Sequence, residues 1–454
     1  MRADPARMHQ LDPQMLDLVL GYVAERLALP EAPVDGLGDR AAMQRAMTEV
    51  ITDDPHPAAQ VLDIYIDHLA DTILSADSPR FYAFIPAAPT KAALLFDMVV
   101  SAASLQGCSW FEAAGAVMAE NSALQVMIDA AGLPEGAGGT FVSGGSAGNL
   151  SALVVARDSA TARDNRPGAA RVLVSDQSHS SIANALRITG MQPLIATTTD
   201  GRMTRESIKQ ALASDPAAAQ ELVAIVATAG TTNAGIVDDL QAAGQIAAEL
   251  GLWFHVDGAY GGAGLLLPEL RDLYTGIERA DSLVMDPHKW WFAPYDSAAL
   301  IYRNPHLARA VHTQDASYLD VIHDDASADV NPSDLAFHLT RRARGMALWF
   351  SMAVNGLEAY RDAVRAGLQI ARYAAQQIAE MPDVEVIREP ELSIVLFRRR
   401  GWGLADYEAW SQRLLQQQTA LVTASAWYGE PVGRLAFLHP ATTTAMVDEV
   451  LASL

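Results

Sequence analysis

The chain has 454 residues, of which 50% are hydrophobic, which is enough for one large domain with smaller attachments. Its 54 acidic residues outnumber the 32 lysines and arginines, and the net charge of −22 opposes binding to nucleic acid or anionic membranes. The single cysteine, Cys108, excludes an intramolecular disulfide and fits a reducing compartment. The N-terminus lacks the apolar core of a signal peptide, and the longest apolar run contains Asp97 and is too short for a bilayer. We therefore expect a soluble, cytoplasmic protein.

Apolar residues recur at helical spacing over residues 11–29 and again over 58–75, near the N-terminus. These helices have apolar faces and little of their own to pack against. We therefore expect residues 1–75 to form a helical segment that docks on another domain or, as a dimerisation segment, on another subunit.

Short apolar runs then alternate with Ala-rich helical segments. The runs predicted as strands are 171–176, 222–228, 252–257, 282–286 and 298–303. This alternation predicts an α/β fold in which residues 76–350 form a mainly parallel sheet covered on both faces. Asp176, Asp257 and Asp286 stand at strand ends, and ligands bind at the carboxyl edge of such sheets. Residues 351–454 read as long helices with a few strands, which predicts a small α+β domain.

The segment "TFVSGGSAGNLSALVVAR" (140–157) is a small-residue loop that runs into a helical pattern. Backbone N–H groups at a helix start bind anions, and glycines let a phosphate approach closely. Ser143, Gly144, Gly145 and Ser146 are therefore candidate phosphate contacts. An ordinary strand-to-helix turn is the alternative, and neither the Walker pattern nor the dinucleotide-binding glycine spacing is present.

The segment "LWFHVDGAYGG" places Asp257 at the end of a strongly apolar strand. A carboxylate that is partly desolvated there needs a cation, and a protonated pyridine nitrogen would serve. Small residues after it, Gly258 and Ala259 among them, leave room for a flat ring. The alternative is that Asp257 simply caps a following helix.

The segment "DPHKWWF" holds Lys289 between a histidine and two tryptophans. An apolar setting would lower the pKa of this amine and suit it to Schiff-base chemistry, whereas the alternative is a solvated surface turn. In "SDQSHSS", His179 precedes a helix predicted to be capped by serine, and it could stack on a ring. In "ATAGTTNAGIVDDL", Thr232 and Asp238 could contact a ligand, although a plain turn is the alternative.

A phosphate-type loop, a stacking histidine, a polar loop, an aspartate and a lysine thus follow one another, each after a strand. Pyridoxal 5′-phosphate requires this set of groups. The segments "SGGSAGNL", "SDQSHSS", "HVDGAYGG" and "DPHKWWF" resemble the group II pyridoxal-phosphate-dependent decarboxylases, which include aromatic-L-amino-acid decarboxylase. The resemblance extends from "FYAFIPAAPT" to "LTRRARGMALWFSMAVNGLEAY" and covers most of residues 10–440.

The resemblance implies a type I aminotransferase-like fold and an obligate homodimer whose active sites are built from both subunits. It implies that Lys289 forms the Schiff base with pyridoxal phosphate, that Asp257 pairs with the pyridine nitrogen, and that His179 stacks on the ring. It further implies a set of cofactor contacts and a substrate wall. The implied cofactor contacts are Gly144, Gly145, Ser146, Thr232, Ala259 and His288, and the implied substrate wall is Phe84, Ile85, Pro86 and Trp110.

The chain departs from the family in the loop before the "RRxR" element. Family decarboxylases carry a tyrosine there that protonates the quinonoid intermediate, but residues 321–345 contain none. Pro332 stands near the expected place, and the nearby titratable residues are Tyr318, His323 and His338. Related aldehyde synthases with altered loop residues couple decarboxylation to oxidative deamination by O2.

The sequence thus predicts decarboxylation of an L-amino acid, giving the amine and CO2. An aromatic substrate is the default, and a smaller or acidic substrate is the alternative. Three alternatives stay open. They are an O2-dependent reaction that gives an aldehyde, a pyridoxal-phosphate carbon–carbon lyase, and a non-catalytic dimer. The Trp after Lys289 and the "RRxR" element argue against the lyase, and the intact Lys289 and Asp257 argue against the non-catalytic dimer.

Overall fold

The computed structural model of the chain describes residues 6–86, 88–164, 170–322 and 330–454. Within these residues a seven-stranded sheet forms the centre of the protein. Its strands are β1 (Gly138–Val142), β2 (Arg171–Ser175), β3 (Gln192–Ala196), β4 (Leu222–Thr228), β5 (Trp253–Asp257), β6 (Ser282–Met285) and β7 (Ala298–Tyr302). Their order across the sheet is β1-β7-β6-β5-β4-β2-β3.

The predicted mainly parallel sheet is confirmed. The neighbouring strands from β6 to β3 pair in parallel, and β7 alone runs antiparallel, to both β6 and β1. Every residue of β4 and β5 is buried, as expected for strands covered on both faces. The carboxyl ends of β1, β2, β4, β5 and β6 therefore meet at one edge, which is where the predicted ligand residues stand.

Helices cover this sheet and continue at both ends of the chain. They are α1 (Pro13–Ala28), α2 (Arg40–Ala46), α3 (Ala58–His68), α4 (Lys91–Ala102), α5 (Trp110–Ala131), α6 (Gly145–Asp164), α7 (Ser180–Thr189), α8 (Arg205–Ser214), α9 (Pro216–Gln220), α10 (Leu240–Leu250), α11 (Pro305–His312), α12 (Met346–Ala379), α13 (Leu404–Gln416) and α14 (Thr444–Leu451). The helix predicted over 58–75 ends earlier than expected, at His68, and a short 3₁₀ turn follows it. No helix of the described residues is long and apolar enough to cross a membrane.

A second, four-stranded sheet lies in the C-terminal part of the chain. Its strands are β8 (Val384–Val386), β9 (Ile394–Arg399), β10 (Thr423–Trp427) and β11 (Glu430–Ala436), in the order β10-β11-β9-β8. The predicted boundary at 350/351 falls inside α12, which bends at Gly356, where φ is 75°. The division into 1–75, 76–350 and 351–454 stays a prediction.

Candidate active site

A cavity of about 330 Å³ opens at the carboxyl edge of the central sheet. It contains Lys289, Asp257 and His179, the three residues predicted to carry the chemistry. Every cofactor contact that the resemblance implies also lines it, whereas Ser143, the remaining candidate phosphate contact, does not. Further residues that were not predicted from the sequence complete the lining. The full lining is Gly144, Gly145, Ser146, Asn149, His179, Ser181, Thr228, Gly230, Thr232, Asp257, Ala259, Tyr260, Asp286, His288 and Lys289.

Lys289 forms an ion pair inside this cavity. Its Nζ lies 2.9 Å from Oδ2 of Asp286, a residue that is 1% exposed. Burial lowers the pKa of Lys289, but the attraction of Asp286, with smaller contributions from Asp257 and Tyr295, outweighs burial and raises the pKa overall. The expectation of a lowered amine pKa was therefore wrong, because the contact between Lys289 and the Asp286 carboxylate outweighs the effect of the apolar surroundings.

Asp257 is held from two directions. Its Oδ2 accepts a hydrogen bond from Nδ2 of Asn149 at 2.9 Å, and its Oδ1 accepts the N–H of Ala259 at 3.1 Å. The residue is only 4% exposed, so the carboxylate is fixed in position at the end of β5. Such a group can hold a proton on a ring nitrogen without reorganising.

A buried chain of hydrogen bonds supports Asp257 from behind. Oδ1 of Asn149 accepts from Nε2 of His255 at 2.9 Å, and Nδ1 of His255 accepts from the Ser282 hydroxyl at 2.7 Å. Burial lowers the pKa of His255 to about 4, so the ring is neutral and carries its proton on Nε2. Neither Asn149 nor His255 was predicted from the sequence. Two sequence spacings could have indicated these residues. Asn149 stands about one helical turn after Gly145, and His255 stands two residues before Asp257, which places these last two side chains on the same face of β5.

The predicted anion-binding loop is the start of α6, which begins at Gly145. A Cβ at this position would lie 3.0 Å from both carboxylate oxygens of Asp286 and 3.2 Å from Cβ of Ala259, so the close approach requires glycine. The N–H of Gly145 donates to Oδ2 of Asp286 at 3.2 Å. The loop therefore has the geometry for an anion, and a carboxylate of the chain already uses one of its donors.

His179 caps α7 itself. Its Nδ1 accepts the N–H of Ser181 at 3.2 Å, so the neutral ring carries its proton on Nε2. The expectation of a serine cap was wrong, since the helix begins at Ser180 and the preceding imidazole satisfies the free backbone donor. This capping bond fixes the ring at the cavity wall.

His288 is also fixed by a backbone donor. Its Nδ1 accepts the N–H of Ser297 at 3.0 Å, which leaves Nε2 as the protonated nitrogen, 3.5 Å from Oδ2 of Asp286. Asp286 thus faces both Lys289 and His288. Burial raises its pKa, but these two neighbours outweigh burial and lower the pKa to about 2.

Thr232 and Asp238 separate in the structure. Thr232 lines the cavity, whereas Asp238 is fully buried and accepts the N–H groups of Thr228 and Met203, both at 2.7 Å. Burial raises the pKa of Asp238 to about 7. Asp238 therefore holds the loop after β4 and is not available to a ligand.

The predicted substrate wall is only partly near the cavity. Phe84 is 62% exposed, adopts a left-handed backbone (φ 51°), and lines a neighbouring cavity together with His179 and Thr232. Ile85 and Pro86 are buried beside it. Trp110 begins α5 and lines a different cavity, so one copy of the chain does not bring it to Lys289. A wall built from these four residues stays a prediction.

Arg434 is a buried cation that the sequence analysis did not single out. It is 5% exposed, lines the neighbouring cavity with Phe84 and His179, and donates to the carbonyl oxygens of Thr232 and Asn233. No acidic residue within the described ranges forms an ion pair with it. Burial lowers the pKa of its guanidinium to about 10. An anionic ligand group is the natural partner of such a cation.

The loop residues considered as proton donors do not line the Lys289 cavity where they are described. Pro332 begins a buried 3₁₀ turn, and Tyr318 is 73% exposed and lines another cavity. Burial lowers the pKa of His338 to about 4, which makes this ring neutral. His323 lies outside the described residues.

Pyridoxal phosphate fits the residues of this cavity. The start of α6 offers backbone donors without a Cβ in the way, Asp257 offers a fixed carboxylate, and Lys289 offers the amine. These groups match the needs of pyridoxal phosphate. Its phosphate needs backbone donors, its ring nitrogen needs a carboxylate, and its aldehyde needs an amine.

Comparison with known proteins agrees with this arrangement. Residues 41–400 match the pyridoxal-dependent decarboxylase conserved domain. The chain is 29% identical over 455 residues to an aromatic-L-amino-acid decarboxylase of Bacillus atrophaeus, covering 98% of this chain and 94% of that one. It is 27% identical to a phenylacetaldehyde synthase of Arabidopsis thaliana, with the same coverage of 98% and 94%.

The fold also has a solved counterpart. The structure of Oryza sativa TDC with PLP and tryptamine superposes with a TM-score of 0.90 at 24% identity, covering 100% of this chain and 98% of that one. The type I aminotransferase-like α/β fold is thereby confirmed. Because the conserved domain spans most of the sequence, including every motif around Lys289, the chain belongs to the family of pyridoxal-phosphate-dependent decarboxylases.

Proposed function

We propose that this enzyme decarboxylates an aromatic L-amino acid and releases the amine and CO2. One observation carries the proposal: Lys289, Asp257 and His179 line the same cavity as the anion-binding start of α6. The name of the B. atrophaeus relative supports the aromatic substrate class.

Five residues of the cavity have a stated role in this proposal. Bound pyridoxal phosphate supplies an aldehyde for an amine and a ring that withdraws electrons from the bond to be broken. The Gly145 N–H and Ser146 hold its phosphate, Asp257 holds a proton at the ring nitrogen, and His179 covers the ring. Lys289 provides the amine and, once its Nζ is free, a local acid or base.

The loop sequence leaves a second outcome open. Residues 321–345 contain no tyrosine, and one relative of this chain is named a phenylacetaldehyde synthase. In that reaction an amino acid, O2 and water give an aldehyde, CO2, ammonia and hydrogen peroxide. We propose the amine as the product, with a proton donor other than a loop tyrosine.

An oxygen electrode distinguishes the two outcomes. We expect the enzyme loaded with pyridoxal phosphate to release CO2 and amine from an aromatic amino acid without consuming O2. The panel of L-amino acids should include acidic ones, because Arg434 places a buried cation beside the cavity. If the enzyme consumed O2 and formed aldehyde in equal amounts, the product would be the aldehyde and not the amine. If only acidic amino acids were turned over, the aromatic substrate class would be wrong.

We also propose that the enzyme is a homodimer joined through its N-terminal helices. Helices α1, α2 and α3 bury none of their residues in one copy of the chain. Two of these helices, α1 and α3, leave large apolar side chains exposed to solvent. These side chains are Met15, Leu16, Val19, Leu20, Val61 and Ile66. Exposed apolar surface of this kind marks a protein interface.

Sedimentation equilibrium tests the dimer. We expect twice the mass of the 48.6 kDa chain, and we expect the double variant Leu16→Glu, Leu20→Glu to shift the equilibrium toward monomer. The matched control is Leu250→Glu, an exposed leucine at the end of α10. A monomeric wild-type protein would contradict the proposal.

A further inference from the structure

Asp286 places a second carboxylate at the proposed phosphate site. Its Oδ2 accepts the N–H of Gly145, the first residue of α6, and also lies 2.9 Å from Nζ of Lys289. Its Oδ1 is buried and has no hydrogen-bond partner within the described parts of the chain. The carboxylate is therefore held through one oxygen only, by the donors that the cofactor also needs.

We propose that Asp286 competes with the phosphate of pyridoxal phosphate for the start of α6, and so weakens cofactor binding. This inference rests on the proposed function of the cavity. A helix start attracts a single anion through its free N–H groups and its dipole. A carboxylate buried at the same place must give up the Gly145 N–H when a phosphate takes it, and the two negative charges then repel each other across a short, poorly solvated distance.

The charges facing Asp286 do not remove this competition. Lys289 and His288 point at its Oδ2, Asp257 lies within electrostatic reach of Lys289, and the Tyr295 ring packs against His288. Lys289 neutralises Asp286 only while its Nζ carries a proton. This compensation therefore depends on the charge of a single amine, and it leaves the carboxylate in place at the start of α6.

The test compares two ligands that differ only in the phosphate, pyridoxal 5′-phosphate and pyridoxal. Protein freed of cofactor is titrated with each, and the dissociation constant is read from the absorbance of the bound aldehyde. We expect Asp286→Asn to bind pyridoxal 5′-phosphate about tenfold more tightly than wild type, or better, and to change pyridoxal binding much less. The substitution changes the dissociation constant of each ligand by some factor, and the ratio of the two factors measures the effect on phosphate binding. Any effect that acts through Lys289 applies to both ligands and cancels in this ratio.

Inorganic phosphate provides a readout that needs no aldehyde. We expect it to raise the melting temperature of Asp286→Asn more than that of the wild-type protein. Asp286→Ser serves as a second uncharged variant if the asparagine protein does not fold. The charge-matched control is Asp296→Asn, which removes an acid that pairs with Arg344 and does not line the cavity.

The outcomes separate cleanly. Equal tightening for both ligands would show an effect through Lys289 alone, and weaker binding of pyridoxal 5′-phosphate would make Asp286 a positioning residue; either result overturns the inference. A wild-type protein that binds neither aldehyde would instead refute the proposed function, and the phosphate melting experiment would still decide whether Asp286 blocks an anion site.

Discussion

Replacing Lys289 by alanine is expected to abolish the visible absorbance of the bound cofactor and to lower CO2 release by at least about 10³-fold. Lys289 is the amine in the cavity, and the variant removes both the covalent attachment and the local acid or base. The chain contains only three lysines, Lys91, Lys209 and Lys289, which makes the assignment unusually direct.

Borohydride reduction followed by peptide mapping locates the attachment. We expect the reduced cofactor on the peptide that contains Lys289 and none on Lys91 or Lys209. Lys91 is exposed at the start of α4, and Lys209 is exposed in the middle of α8. Lys209→Ala is the matched control and should keep full activity. Label on another lysine, or turnover retained by Lys289→Ala, would show that the cavity is not the site of chemistry.

Replacing Glu120 by alanine is expected to lower the free energy of unfolding by about 3–5 kcal/mol, because it leaves a buried guanidinium without its partner. Arg341 of the "RRxR" element donates to Oε2 and Oε1 of Glu120 at 2.5 and 3.0 Å, and both side chains are 1% exposed. The N–H of Gly345 also donates to Oε1, at 2.8 Å. The pair joins α5 to the start of α12.

Denaturant unfolding of the holoenzyme measures this effect, at a fixed protein concentration because a dimer would make stability depend on it. The control is Glu358→Ala, which removes an exposed partner of Arg361 and should change stability by less than about 0.5 kcal/mol. The double variant Glu120→Leu, Arg341→Met should lose less stability than Glu120→Ala, because it leaves no buried charge without a partner. A loss below about 1 kcal/mol for Glu120→Ala would mean that the arginine finds water or another partner.

Strand positions could be predicted because buried parallel strands are continuous apolar runs. The predicted runs at 171–176, 222–228 and 252–257 agree with β2, β4 and β5 to within one residue at each end. The antiparallel direction of β7 had no such signal, since a buried strand reads the same in either direction. The edge strand β3, which has exposed residues, was not predicted at all.

Some residues of the cavity could likewise be predicted from the sequence, and others could not. Lys289, Asp257 and His179 stand in segments whose residue types already indicate their chemistry, and the parallel order of the strands brings those segments to one edge. Asn149 and His255 have no such signal, because their importance lies in contacts to Asp257 from two other elements.

The sequence by itself determined the family, the cofactor class and the residues able to react, since these depend on local motifs and on strands that end at a common edge. Only the tertiary structure decided the charge state of Lys289, the capping role of His179 and the structural role of Asp238. It also placed Trp110 in the lining of a different cavity from Lys289. Each of these depends on burial and on partners brought close by folding, and electrostatic energies at such short, desolvated distances are set by geometry that no linear motif contains.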